Sequence, residues 1–129
     1  MERFNAKLVQ ISSEKQARDE IRLIDVSEEA ANIMAPKAVF RVVKLHNVRN
    51  AVGNILKQEM LSIGGEVVVS KYTVNCSKPQ TDVLIMGTLR HFYRLIQKMK
   101  VQGWILEKDK ELEYKAVANE IEKALKESV

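Results

Sequence analysis

A single cysteine, Cys76, stands among 129 residues. No intrachain disulfide can form, so the fold must rest on its core. There are two histidines, His46 and His91, and with one thiol they exclude the ligand spacings of finger- and ribbon-type zinc sites. A reducing cytoplasm is the compartment this cysteine usage suggests. Aromatic residues make up 5%, which leaves little material for base stacking. Charge of one sign is also scarce: 21 basic residues against 17 acidic give a net +4, far from the concentrated basic footprint of a dedicated nucleic-acid binder. No apolar run approaches the ~18 residues that suggest a membrane span, and Met1-Glu2-Arg3-Phe4 leads into no apolar signal core.

What is present has the balance of a globular domain, 46% hydrophobic and 29% charged. A chain of this length buries roughly two-thirds of its unfolded surface, and one domain over 1–129 is expected. Residues 4–11 (Phe4-Asn5-Ala6-Lys7-Leu8-Val9-Gln10-Ile11) alternate apolar and polar as a half-buried strand does. Ser13, with Gln16 three residues on, predicts a capping box and a helix over 14–24. Ser27 predicts a second helix through Met34, ended by Pro36.

Ala38–Leu45 reads as a central strand because its apolar run is almost continuous. Asn47 is placed to cap a helix whose stripe is Val48, Val52, Ile55, Leu56, Met60 and Ile63, and Gly64-Gly65 stops it. Further strands are expected over 66–75 and at Val83-Leu84-Ile85-Met86. A helix follows with Leu89, Phe92, Ile96 and Met99 inward, closed by Gly103. A terminal helix from about Lys110 to Glu127 carries Leu112, Ala116, Ile121 and Leu125 on one side. Strands alternating with helices imply an α/β fold: a two- or three-layer sandwich with a mixed, mainly parallel sheet of four or five strands, helices packed on it.

No complete catalytic or metal-binding motif is present. The local feature with most chemistry is Met86-Gly87-Thr88-Leu89, where a buried strand turns at a glycine into a helix. Helix starts present amide N–H groups and a positive dipole end to anions, and strand ends of open α/β sheets often hold ligands. Without a Walker or dinucleotide glycine pattern, a plain βα turn capped by Thr88 explains the residues equally. Arg90, Arg94 and Lys98 follow at four-residue steps, a basic stripe suited to phosphate or an acidic partner and equally to a solvated face. Gly87, Thr88, Arg90 and Arg94 are the candidate ligand contacts. Two other readings stay open: a small enzyme assembled from Cys76, His91 and the Gly87 turn, and a weak nucleic-acid binder using the Arg90–Lys98 face.

Three blocks carry a resemblance. Ile33-Met34-Ala35-Pro36-Lys37-Ala38-Val39-Phe40-Arg41-Val42-Val43-Lys44-Leu45, Asn54-Ile55-Leu56-Lys57-Gln58-Glu59-Met60-Leu61-Ser62-Ile63-Gly64-Gly65 and Thr81-Asp82-Val83-Leu84-Ile85-Met86-Gly87-Thr88-Leu89 resemble, in order and spacing, the N-terminal accessory region of long dihydropteroate synthases. The family's catalytic part is a pterin-binding (β/α)₈ barrel that joins a pterin pyrophosphate to p-aminobenzoate. Such a barrel needs at least ~200 residues, more than this chain has, so no catalytic residue carries over. The resemblance implies a non-catalytic accessory module of folate or one-carbon metabolism. Its expected ligand is pterin-like or phosphorylated, and its expected partner is a pterin-binding barrel protein or a second copy of the chain. The residues themselves identify no metal site and no other cofactor.

Overall fold

The computed structural model of the chain describes residues 3–73, 75, 77–105 and 108–127, with side chains outside 103–112. It divides into two compact units, Met1–Val39 and Phe40–Val129. In the first, α1 (Glu14–Arg22) and α2 (Glu28–Met34) lead into a 3₁₀ turn, Ala35–Ala38. Ser13 caps α1 by accepting the Gln16 N–H, and Ser27 caps α2 by accepting that of Ala30. Gln16 reaches back to Ser12, one residue short of the capping-box partner. Arg22 ties the end of α1 to Asp19 and to Glu28 at the start of α2. Ala17, Ala31, Ala35 and Val39 are fully buried, and such small side chains let short helices approach closely.

Residues 4–11 form no strand. Alternation decides which side of a strand would face a core, but ladder bonds need a neighbouring strand.

The second unit holds a three-stranded sheet: β1 (Phe40–Arg49), β2 (Glu66–Val69) and β3 (Gln80–Thr88), in the order β1-β3-β2. Both pairings are antiparallel. The mainly parallel sheet of four or five strands is therefore corrected. β1 and β2, joined by α3 (Asn50–Ile63), do run in the same direction, as alternating elements imply. The last strand, β3, inserts between them and turns both contacts antiparallel. The central strand is β3, whereas β1, expected to be central, is an edge. Beyond Val69 the chain forms a 3₁₀ turn at Lys71–Thr73 instead of extending β2.

One sheet face is the core face. Val43, Leu45, Val48, Val67, Val83 and Ile85 are buried on it, with α3 and α4 (Leu89–Ile105) packed on the sheet. Val52, Leu56 and Met60 of α3 and Leu89, Phe92, Leu95, Ile96 and Met99 of α4 complete that core. α5 (Lys108–Glu127) packs on α4 through Tyr114, Val117, Ala118, Ile121 and Leu125. Ala116, expected inward, is exposed, and Gly103 lies inside α4 rather than ending it.

The other face of the sheet is open. Phe40, Val42 and Val68 keep 59%, 52% and 49% of their surface exposed, and Leu84 and Met86 are half-buried between them. The hydrophobic pattern of β3 therefore overstates its burial.

Candidate functional site

Gly64 ends α3 as sequence predicts. Its φ of 104° is left-handed, and the Gly65 N–H donates back to the Met60 carbonyl at 2.9 Å. This is a Schellman-type stop, open to glycine because it lacks a Cβ. The loop it creates lies beside the β3–α4 junction. A Cβ on Gly65 would meet the Met60 side chain at 2.7 Å, and a Cβ on Gly87 would meet Met60 Cε at 2.7 Å and His91 Nδ1 at 3.1 Å. A Cβ on Gly64 would lie 3.3 Å from His91 Nε2. The adjacent Gly64 and Gly65, together with Gly87 from the end of β3, thus make room for Met60 and His91 at one corner of the second unit.

At that corner Thr88 caps α4, as expected from sequence: its Oγ1 accepts the His91 N–H at 3.3 Å, while His91 Nδ1 accepts the Thr88 N–H at 3.0 Å. The pair is a reciprocal capping box in which imidazole replaces the usual Glu or Gln. Accepting at Nδ1 leaves the proton of neutral His91 on Nε2. The role of His91 as a cap was missed in the sequence. Its position, three residues after a cap threonine, was the available signal. Two amides of the helix start are satisfied internally, so an anion arriving there meets side-chain cations more than free N–H groups.

Those cations are Arg90 and Arg94, both exposed on α4. Arg94 lines a shallow groove of about 380 Å³ with Glu59, Gln97 and Lys98. Lys98 pairs with Glu59 of α3 at 3.4 Å, so part of the basic stripe is spent on packing helix to helix. The structure brings Gly87, Thr88, Arg90 and His91 to one junction and places Arg94 a turn along the same helix. Cys76 lies outside the described residues, so a Cys76–His91 pair has no geometry here.

A second polar cluster sits at the far end of the sheet. The β1–β3 register shifts between Leu45 and Val48, and Asn47 takes a left-handed φ of 57°. Asn47, expected to cap α3, instead forms this bulge, and α3 begins at Asn50. Asp82 fastens the bulge by accepting the Asn47 N–H at 3.2 Å and lying 3.4 Å from His46 Nδ1. These contacts, the backbone bond first, hold the Asp82 carboxyl below its ordinary range. Nearby, Lys78 Nζ lies 4.7 Å from the centre of the Tyr72 ring. Among the described residues no group of His, Cys, Asp and Glu is arranged to hold a metal ion, and no helix is long and apolar enough to cross a membrane.

Over 94 residues, 73% of its length, the chain is 34% identical to a probable bifunctional folylpolyglutamate synthase/dihydropteroate synthase of Halobacterium salinarum. The matched stretch is 11% of that protein, so the chain spans about a tenth of its relative's length. No protein-family model matches the sequence, and no solved structure matches it. The chain is similar to one segment of a folate enzyme, over most of its own length.

Proposed function

We propose that this chain is a non-catalytic accessory module of folate or one-carbon metabolism, related to the accessory region of dihydropteroate synthases. It binds a phosphorylated or pterin-like ligand, or the barrel protein that uses one, at the corner formed by Gly87, Thr88, Arg90 and Arg94. The observation that carries this reading is the partial likeness: most of the chain is similar to a tenth of a bifunctional folate enzyme. The corner adds chemistry. Exposed guanidiniums at the start of a capped helix suit phosphate oxygens, which Arg binds in bidentate fashion.

A thermal-shift panel with pterins, p-aminobenzoate, pyrophosphate and nucleotides tests it. A ligand at 100 times its Kd adds about 2.7 kcal/mol, a rise of very roughly 5–15 °C for a domain of this size. The expected result is a shift with a pterin or pyrophosphate that disappears in the Arg90→Glu, Arg94→Glu double variant. A shift unchanged in that variant moves the site elsewhere. No shift with any compound, together with no complex with a pterin-binding barrel, overturns the binding role. Dihydropteroate formed by the chain alone overturns the non-catalytic role.

A further inference from the structure

We propose that His91 is a proton-operated cap: neutral, it holds the start of α4, and charged, it lets go, so that the β3–α4 junction loosens as pH falls. The Thr88 N–H donates to His91 Nδ1 at 3.0 Å. A backbone amide needs an acceptor, and the bare lone pair of Nδ1 supplies it. Turning the ring over would bring Cδ2, which accepts nothing, to the same place. The bond therefore exists only in the neutral form with its proton on Nε2. A second proton goes to that same lone pair. Nδ1 then becomes a donor facing a donor and the bond is lost, while the reverse bond, from the His91 N–H to Thr88 Oγ1 at 3.3 Å, can survive. Glu or Gln usually fills this position of a capping box. Gln accepts at every pH and Glu whenever it is ionised, so either would cap throughout the neutral range. Imidazole is the side chain whose ordinary charge change falls between about pH 5 and 8, and it makes the cap conditional.

The surroundings do not compensate a charged ring. On α4 itself, Arg90 is the neighbour in sequence and Arg94 lies a turn along, both exposed cations. The helix start is also the positive end of its dipole. From β1, Arg41 stands opposite Gly87 in the strand register. From α3, Gly64 approaches the ring, and Met60 shares with it the space that a Cβ on Gly87 would fill. The acid of that helix nearest its end, Glu59, is engaged by Lys98 at 3.4 Å. Glu66, first in β2, is held by the Val67 N–H at 2.8 Å and by Lys57 at 3.4 Å. Among the described residues no carboxylate pairs with His91. A charged His91 thus gains no counter-ion for the bond it gives up. The sign follows: the cap is complete while the imidazole is neutral and is lost as pH falls and the ring takes its second proton. Thr88 is also the last residue of β3 in register with β1, opposite Phe40. Releasing its N–H loosens the point where β3, α4 and the end of α3 meet. The device stands on this cap geometry and needs no ligand at the corner.

Nitrogen and amide-proton NMR of the full chain between about pH 8 and pH 5 tests it. At the upper end the His91 ring should carry its proton on Nε2. As the ring charges, the Thr88 amide signal should move in the same titration. Hydrogen exchange of the Thr88 and His91 amides, corrected for its intrinsic pH dependence, should speed up at least roughly tenfold. In His91→Gln, which caps at every pH, the Thr88 signal and its corrected exchange should stay flat. A proton on Nδ1 at the upper pH overturns the proposal. So does a Thr88 amide that stays still while the ring titrates, or an imidazole neutral throughout the range. The same response in His91→Gln also overturns it, and assigns the effect to His46 or Asp82 at the far end of the sheet. If His91→Gln fails to fold by circular dichroism, His46→Gln decides: the Thr88 response must survive that change, and its loss overturns the proposal.

Discussion

Gly87 and Gly65 both crowd the side chain of Met60: a Cβ on either would lie 2.7 Å from one of its atoms. Met60 is fully buried, so it has little room to retreat. Gly65→Ala and Gly87→Ala should each cost about 1–3 kcal/mol in urea denaturation, as overpacking does. The double variant should cost less than the sum, since the same side chain is displaced once. Strict additivity would mean that Met60 is not the shared obstacle. The capping box gives a second prediction at this scale. Thr88→Ala should cost about 1 kcal/mol. His91→Gln, which keeps an acceptor for the Thr88 N–H, should be milder than His91→Ala. Equal losses at His91 would remove the hydrogen bond from the account. Asp82 supplies a pH dependence. Its folded pKa lies below the ordinary 3.8, so its contribution is complete above that value and is lost as pH falls through the lower, folded value. The stability of Asp82→Asn should therefore decline less steeply below about pH 4, an effect kept small by exposure and salt. Parallel pH profiles for the two proteins would show that Asp82 does not hold the bulge.

Most helices are legible as elements because their signals are local. Ser13 and Ser27 cap where expected, Gly64 stops α3, and the stripe of α4 is buried as its spacing requires. Strands are less legible, because a strand exists only through its neighbours. Residues 4–11 alternate as a half-buried strand would, yet pair with no strand. Val83–Met86 reads as fully buried, yet half its side chains face outward. α3 shows how closely helix and sheet meet. A Cβ on Gly53 would lie 3.1 Å from Thr81 Cγ2 and 3.5 Å from Val69 Cγ1. Gly53→Leu should wedge α3 off the sheet and cost about 1–3 kcal/mol by denaturation. A neutral outcome would mean that the helix can shift without disturbing the core.

At the scale of the molecule, Phe40–Val129 holds the sheet and the three longest helices as one compact unit. A fragment of residues 40–129 should unfold cooperatively, with a midpoint that calorimetry can compare with the full chain. A broad, non-cooperative transition would show that the first unit is needed for its fold. The amino-acid sequence by itself determined what depends on near neighbours and on composition: capped helices, the glycine stop, the α/β class, and the exclusion of a disulfide within these residues and of finger-type zinc spacing. The corner of Gly64, Gly65, Gly87, Met60 and His91 was not readable there, because those residues meet only after the chain has folded back. Nor was the order β1-β3-β2. Period-two alternation assigns a strand its faces but not its neighbours, and direction follows from which edges remain unpaired when the last strand arrives. Tertiary structure alone decided that β3 enters between β1 and β2, and thereby that one face of the sheet stays open.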